Sequence, residues 1–232
     1  MICLQARNLE WQPSSGTFRL RITDFSLATG DKISIVGPSG AGKSTFLGLL
    51  SFALRPTKAD LFRLTTNTKH NYDIAALWRA GKPGVLANFR SHFIGFIPQT
   101  SALLPFLTAQ ENIVLPIQVT KNNFDKNRFT YLIDRLDLQN CLSQYPASLS
   151  VGQRQRVAVA RALVTAPPLI LADEPTASVP PEQATIIYNM LLNAPDSAVI
   201  MVTHDRENAR REGFTLVEAK ANGQHTTMAY HT

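Results

Sequence analysis

Residues 37–45 have the sequence Gly37-Pro38-Ser39-Gly40-Ala41-Gly42-Lys43-Ser44-Thr45, and this stretch decides the fold. It matches the pattern G-x-x-x-x-G-K-S, after a strand-like run at 32–36 and before a predicted helix at 45–54. Its glycines let backbone N–H groups approach phosphate oxygens, and the helix that follows adds partial positive charge. We expect Lys43 to reach the β- and γ-phosphates of a nucleoside triphosphate and the Ser44 hydroxyl to bind Mg²⁺.

An acidic pair, Asp173 and Glu174, follows the apolar run 169–172. A carboxylate at the C-terminal end of a parallel strand faces the crevice where α/β folds bind ligands. Asp173 is therefore predicted to hold Mg²⁺, directly or through water, and Glu174 to act as general base on the attacking water. Alone, such a pair could simply cap the next turn. Combined with the glycine loop, it indicates hydrolysis.

The run Leu149-Ser150-Val151-Gly152-Gln153 contains the capping-box pattern S-x-x-Q, which predicts a helix from Ser150 through Arg161. An uncovered helix N-terminus beside a glycine is also an anion site. The two interpretations are compatible, because the same geometry can offer N–H groups and the Ser150 hydroxyl to a γ-phosphate.

Strand-like and helix-like segments alternate along the chain. The β-branched runs 169–172 and 198–202, separated by a helical stretch, predict a parallel sheet covered on both faces. Alternating apolar residues predict a strand at 17–22, and a further strand is predicted at 92–97. An Asn222-Gly223 turn near the end predicts a closing hairpin.

Two stretches have a different character. Residues 55–90 contain Pro56, Gly81, Pro83 and Gly84, so we expect irregular structure and one helix there. Residues 101–149 are helical in pattern, with a capping box from Thr108 to Glu111 and an apolar face that includes Leu132 and Leu138.

Composition narrows the class of protein. With 232 residues, 44% of them hydrophobic and 17% charged, the chain can bury a large core, so a disordered chain is excluded. The N-terminus becomes polar too early for a secretory signal, and the apolar run 46–54 is too short to span a membrane. We therefore expect a soluble protein. Cys3 and Cys141 lack metal-ligand spacing and are expected to be reduced cytosolic thiols. The net charge of +6 indicates no particular partner.

The three motifs, in this order, resemble those of the ATP-binding subunits of ABC transporters, and the resemblance covers nearly the whole chain. Walker A is 37–45, the signature is 149–153, and Walker B is 169–173 with Glu174 adjacent. The resemblance implies an α/β fold: a P-loop NTPase (RecA-like) core with a mostly parallel sheet, an N-terminal antiparallel β subdomain and an inserted α-helical subdomain.

The resemblance also implies boundaries and roles. Residues 1–232 would form a single ABC ATPase domain, in which 1–98 and 150–232 are the catalytic core with the β subdomain and 99–149 the helical subdomain. The nucleotide-binding residues would be Trp11 (stacked on adenine), Gly37, Pro38, Ser39, Gly40, Ala41, Gly42, Lys43, Ser44, Thr45, Ser150, Gly152 and Gln153. The catalytic residues would be Glu174, His204 (the switch histidine), Lys43 and Gln99 (the Q-loop glutamine), and the metal ligands Ser44, Gln99 and Asp173.

Residues 94–99, 103–105 and 107–112 resemble the subgroup that contains the lipoprotein-release, macrolide-exporter and cell-division ATPases. Three features depart from the family pattern: Val151 replaces the first glycine of the signature, Pro180 stands where a loop normally ends in Asp, and the segment through residues 58–60 lacks a glycine-bearing turn. Pro180 supplies neither a carboxylate nor an N–H.

By resemblance, we expect a cytoplasmic ATPase subunit, peripheral to the inner face of a bacterial plasma membrane, that uses ATP and Mg²⁺. Two chains, identical or related, would close head-to-tail around two ATP molecules, with Ser150 and Gly152 of one on the γ-phosphate bound by the other, and drive integral membrane subunits. No nucleic-acid partner is expected.

The alternative function is a nucleotide-gated regulatory module that moves no substrate. A soluble ABC protein of DNA repair or translation would have two cassettes or a coiled-coil insertion, and a small-molecule kinase would have no signature motif.

Overall fold

The computed structural model describes residues 2–66 and 70–230, which form two sheets and the helices around them. The strands are β1 (Cys3–Trp11), β2 (Arg19–Ala28), β3 (Lys32–Val36), β4 (Leu61–Thr65), β5 (Asn71–Asp73), β6 (Ile94–Ile97), β7 (Leu169–Asp173), β8 (Ala198–Thr203), β9 (Thr215–Glu218), β10 (Lys220–Asn222) and β11 (His225–Tyr230). The helices are α1 (Lys43–Leu50), α2 (Ile74–Arg79), α3 (Pro83–Phe93), α4 (Ala109–Thr120), α5 (Lys126–Arg135), α6 (Val151–Leu163), α7 (Pro181–Leu192) and α8 (Arg206–Glu212).

The central sheet has the strand order β6-β7-β8-β3-β9, and every neighbouring pair is parallel. Strands β7 and β8 are buried along their whole length, because helices cover both faces of the sheet. This arrangement explains why their sequences are continuous apolar runs and confirms the predicted parallel core. Strands β3 and β7 both end at the sheet edge that carries the glycine loop and the acidic pair.

The second sheet has the order β10-β11-β2-β1-β4-β5 and is antiparallel except where β11 runs parallel to β2. The predicted C-terminal hairpin is present: Asn222 pairs with His225, and Gly223 has a φ of 58°, which glycine adopts without steric cost. This hairpin extends the predicted N-terminal antiparallel subdomain, so both ends of the described chain lie in one sheet.

The prediction for residues 55–90 was wrong in part. Instead of one helix in irregular structure, this stretch holds β4, β5, α2 and α3. Pro83 does not break a helix but occupies the first turn of α3, where its missing N–H costs no hydrogen bond. Because α3 continues to Phe93, the strand predicted at 92–97 is shorter and begins at Ile94.

The first helix is also shorter than predicted, since α1 ends at Leu50 rather than at residue 54. Phe52 has a left-handed φ of 58°, and the N–H groups of Ala53 and Leu54 both turn back to the Gly48 carbonyl oxygen. Such a turn satisfies the free carbonyls at a helix C-terminus. It also buries the Phe52 ring completely, edge-on to Phe62.

The stretch 101–149 is helical, as its pattern indicates. The predicted capping box at the start of α4 is present: the Thr108 side chain accepts from the Glu111 N–H, and the Glu111 carboxylate accepts from the Thr108 N–H. Leu132 and Leu138 are buried in one apolar cluster with residues of α6 and β8. Asn112, fully buried in α4, holds the preceding loop by bonds to the backbone of Leu104, Leu107 and Thr108.

Cys3 and Cys141 are free thiols. Among residues 2–66 and 70–230, no helix combines the length and apolarity needed to cross a membrane.

Gly95 marks a close approach between β6 and the C-terminal end of α6. A Cβ atom added there would lie 2.3 Å from the Ala162 carbonyl oxygen and 2.7 Å from Pro167 Cγ. We expect Gly95→Ala to lower the free energy of unfolding by about 3 kcal/mol, because the backbone atom cannot move aside. Gly84→Ala in α3 is the matched control, since a Cβ there meets nothing within 4 Å, and we expect no loss of stability. Urea unfolding measures both, and equal losses would contradict the packing.

Candidate functional site

The glycine loop lies between β3 and α1, as predicted. Gly40 and Gly42 have φ values of 78° and 74°, a left-handed backbone that residues with a Cβ rarely adopt. Gly42 is the N-cap of α1, and no side chain of the described residues caps this helix. Its first N–H groups are therefore free to bind an anion, and the helix dipole favours negative charge at the same point.

Lys43 connects the two ends of this loop. Its Nζ donates to the carbonyl oxygens of Gly37 and Pro38, both at 2.9 Å, and the residue is buried. The ammonium group therefore lies inside the curve of the loop. Ala41 is also buried, whereas Ser39, Gly40, Gly42, Ser44 and Thr45 line the cavity beside it.

Asp173 lies at the end of β7, with the Ser44 side chain close enough to affect its pKa. Burial raises the pKa of Asp173, and the neighbouring charge of Glu174 raises it further, while Ser44 and Lys43 oppose the shift. A bound cation would offset the cost of ionising this carboxylate, since opposite charge favours the charged form. All three predicted metal ligands, Ser44, Gln99 and Asp173, line the same cavity.

The Glu174 carboxylate is held by three hydrogen bonds. Thr203 Oγ1 donates to its Oε2 at 3.1 Å, and the N–H of His204 donates to its Oε1 at 2.9 Å. The Nδ1 atom of His204 is also 2.9 Å from that Oε1. The predicted base and the predicted switch histidine therefore meet directly, and the imidazole is otherwise exposed. Glu174 has a φ of 47°, a conformation that costs about 1–3 kcal/mol and requires support from its surroundings.

Most of the predicted site residues line one cavity of about 460 Å³. This volume is typical of a small-molecule site. Its wall consists of Trp11, Pro13, Phe18, Ser39, Gly40, Gly42, Lys43, Ser44, Thr45, Gln99, Asp173, Glu174 and Val202. The Trp11 and Phe18 rings are 6.5 Å apart and inclined at 56°. The cavity wall thus combines two aromatic rings with charged and polar residues, a composition suited to a molecule with a flat base and an anionic tail.

Phe18 is a residue that sequence analysis did not identify. A Cβ on Gly42 would lie 2.5 Å from Phe18 Cζ, so the ring rests directly on the glycine loop. Its alternation with Leu20 places both residues on one side of a strand, but it does not separate a cavity-lining ring from a core residue such as the buried Leu20. Thr203, which supports Glu174, was also missed, although it directly precedes the predicted His204.

Helix α6 holds the segment around Gln99. Gln155 is buried and donates to the carbonyl oxygens of Pro98 and Pro175, at 3.5 and 3.3 Å. Arg161 donates to the carbonyl oxygens of Ser101 and Ala102, two residues with positive φ. Gln99 itself is exposed and lines the cavity.

Ser150, Gly152 and Gln153 do not line that cavity. The predicted capping box is present: the Ser150 N–H donates to Gln153 Oε1 at 2.8 Å, and the Gln153 N–H donates to Ser150 Oγ at 3.2 Å. Ser150 is exposed, as is Val151, which retains 58% of its accessible surface. A Cβ on Gly152 would lie 3.3 Å from the Ser178 carbonyl oxygen. The described residues of this chain thus leave Ser150 and Val151 of the signature facing solvent, while Leu149 is buried.

The glycine loop, its lysine and a carboxylate at the adjacent strand end define this protein as a P-loop nucleoside triphosphatase. The family described as ABC transporter matches residues 20–177. The chain belongs to the ABC transporter family. Within that family it is the domain that binds and hydrolyses ATP. The predicted fold and resemblance are confirmed.

The relatives span almost the whole chain. The lipoprotein-releasing system ATP-binding protein LolD of Idiomarina loihiensis is 38% identical over 88% of this chain and 86% of its own length. The uncharacterized ABC transporter ATP-binding protein YvrO of Bacillus subtilis is 36% identical over 85% of this chain and 83% of its own. The ATP-binding cassette MJ0796, in a dimeric post-hydrolysis state bound to ADP and Pi, superposes with a TM-score of 0.79 at 28% identity and covers 97% of this chain and 96% of its own.

Proposed function

We propose that this chain is the ATPase subunit of a membrane-bound ABC complex and that two copies close head-to-tail around two ATP molecules. The observation that carries the proposal is the separation of its motifs. The cavity holds Walker A, Walker B and Gln99, whereas Ser150 and Gly152 lie outside it with Ser150 exposed. In the proposed dimer, Ser150 and Gly152 of a second copy would cover the open side of the cavity. The dimeric state of the related MJ0796 cassette supports this assembly.

The nucleotide would bind by its base and by its phosphates. Trp11 stacks on adenine, and residues 37–45 surround the phosphates with backbone N–H groups. Lys43 then exchanges its bonds to the Gly37 and Pro38 carbonyls for phosphate oxygens.

The donor set of the cavity fits Mg²⁺. Ser44 and Asp173 offer a hydroxyl and a carboxylate oxygen, and Gln99 adds an amide oxygen in the lining of the same cavity. Mg²⁺ prefers such oxygen ligands together with substrate phosphates. When bound, the ion would neutralise charge on the phosphates.

Hydrolysis would depend on Glu174 and His204. The Glu174 carboxylate accepts a proton from the attacking water, and its bonds to Thr203 and His204 fix its orientation. The exposed imidazole of His204 can turn from Glu174 to the γ-phosphate once a second copy closes over the cavity. Ser150 and Gly152 of that copy donate to the same phosphate from a helix N-terminus.

Pro180 affects how the two sites communicate. It is the N-cap of α7, where it offers no side-chain hydrogen bond, and Pro181 follows at the first helical position. Any contact of the 177–180 turn across the dimer must therefore use other atoms, such as the Ser178 carbonyl beside Gly152.

The proposed site of membrane coupling is the helical subdomain at 99–149, which Gln99 connects to the nucleotide cavity. The LolD relatives belong to lipoprotein-releasing systems, which supports a membrane partner and a peripheral position at the inner membrane. Affinity purification of the tagged chain from detergent-solubilised membranes of its own cells tests this. We expect an integral membrane protein to be retained and to raise ATP hydrolysis. Recovery of the chain without any membrane protein, at an unchanged rate, would contradict the proposal.

A further inference from the structure

A buried phenol contacts both chain segments that hold Glu174. Tyr188 in α7 is 2% exposed, and its ring packs edge-on against Phe214 at a centroid distance of 6.2 Å. Its hydroxyl lies 3.0 Å from Thr176 Oγ1, and the Thr203 side chain lies close enough to affect the pKa of the phenol. Thr176 follows Glu174 by two residues, and Thr203 donates to the Glu174 carboxylate.

Each hydroxyl group has one proton to donate, and this limits which group donates in each hydrogen bond. The single proton of the Thr203 hydroxyl goes to Glu174 Oε2, so its lone pairs accept, one of them from the N–H of Asp205 at 3.1 Å. The arrangement that uses every hydroxyl as a donor has the phenol donating to Thr203 and Thr176 donating to the phenol oxygen. Burial raises the pKa of Tyr188, which keeps the phenol protonated and able to donate. In this arrangement all three hydroxyls point their protons toward the carboxylate.

The carboxylate depends on such support. Glu174 has a left-handed φ of 47°, and its backbone is tied to β8 by the bond from its N–H to the Val202 carbonyl at 2.9 Å. Helix α7, which carries Tyr188, begins at Pro181 without a side-chain cap. The bond between Tyr188 and Thr176 thus links this helix directly to the turn after Glu174.

We propose that Tyr188 is a positioning residue for hydrolysis: its hydroxyl orients Thr176 and Thr203 and thereby fixes the Glu174 carboxylate. A chain of aligned hydroxyls is polarised cooperatively, so loss of its central member weakens the remaining bond to the carboxylate. This inference rests on the proposed role of Glu174 as general base.

Tyr188→Phe removes one oxygen atom and keeps the buried ring, and steady-state ATP hydrolysis by the purified chain measures the effect. We expect kcat to fall about tenfold, the equivalent of one buried hydrogen bond, while the KM for ATP stays within about twofold. The KM is preserved because Tyr188 does not line the nucleotide cavity. Tyr131→Phe, at a tyrosine that is 54% exposed, is the matched control and should leave both constants unchanged.

The same substitution in a Glu174→Gln background separates positioning from a general structural role. If Tyr188 acts through the carboxylate, Tyr188→Phe causes no further loss in the residual rate of Glu174→Gln. An equal loss in both backgrounds, or an unchanged kcat in the single variant, would overturn the proposal. If Glu174→Gln itself retained full activity, the proposed function of Glu174 would fail instead, so the two failures are distinguishable.

Discussion

Lys43→Ala is expected to weaken ATP binding about 100-fold. The substitution removes charge-assisted hydrogen bonds to the phosphates, worth roughly 1.5–3 kcal/mol each. Fluorescence of Trp11 measures binding directly, because Trp11 lines the cavity and Trp78, the other tryptophan, lies outside it and can be replaced by Phe.

Two controls isolate the phosphate contact. Adenosine, which lacks phosphates, should bind Lys43→Ala and the parent chain with similar affinity, because its base contacts only the aromatic wall. Lys58→Ala removes the same charge at an exposed position and should leave ATP binding unchanged. If adenosine binding were lost together with ATP binding, the substitution would have collapsed the loop that Lys43 ties together, and the assignment to phosphate would be unsupported.

Glu174→Gln is expected to lower the rate of ATP hydrolysis by about 10²–10⁴-fold, the usual contribution of a general base. Glutamine keeps one oxygen that can accept from the His204 N–H, and the Thr203 hydroxyl, which donates to the other carboxylate oxygen in the parent chain, can turn to accept from the new amide group. The local structure and the ATP affinity should therefore persist. Phosphate release from ATP measures the effect.

The matched control is Glu182→Gln, at an exposed position in the first turn of α7, which makes the same chemical change away from the cavity. Its rate should equal that of the parent chain. A Glu174→Gln variant that hydrolyses ATP at the parent rate would remove Glu174 from the mechanism.

The residues of the central sheet and its phosphate loop were predictable because several local signals agree. The Gly40 and Gly42 positions require left-handed backbone, and the wholly apolar runs of β7 and β8 can be satisfied only by burial on both faces. Likewise, the capping boxes at Thr108 and Ser150 are local patterns, and both are present in the structure.

What sequence patterns missed depends on contacts between distant segments. Pro83 was interpreted as a residue that breaks a helix, but α3 begins there. Proline disrupts the interior of a helix and is favoured in its first turn, so its presence alone does not distinguish the two positions. Phe18 reaches Gly42, and Tyr188 reaches Thr176 and Thr203, only after the strands and α7 have packed. No local pattern distinguishes these aromatic residues from ordinary core residues.

The shared ATP site is tested most directly by the mass of Glu174→Gln in solution, measured by light scattering with millimolar ATP and Mg²⁺. Because hydrolysis is blocked, the closed state should persist, and the mass should be double the 25.6 kDa of one chain. Without nucleotide it should return to that of one chain. A variant that stays at 25.6 kDa with ATP bound would contradict a site completed by Ser150 and Gly152 of a second copy.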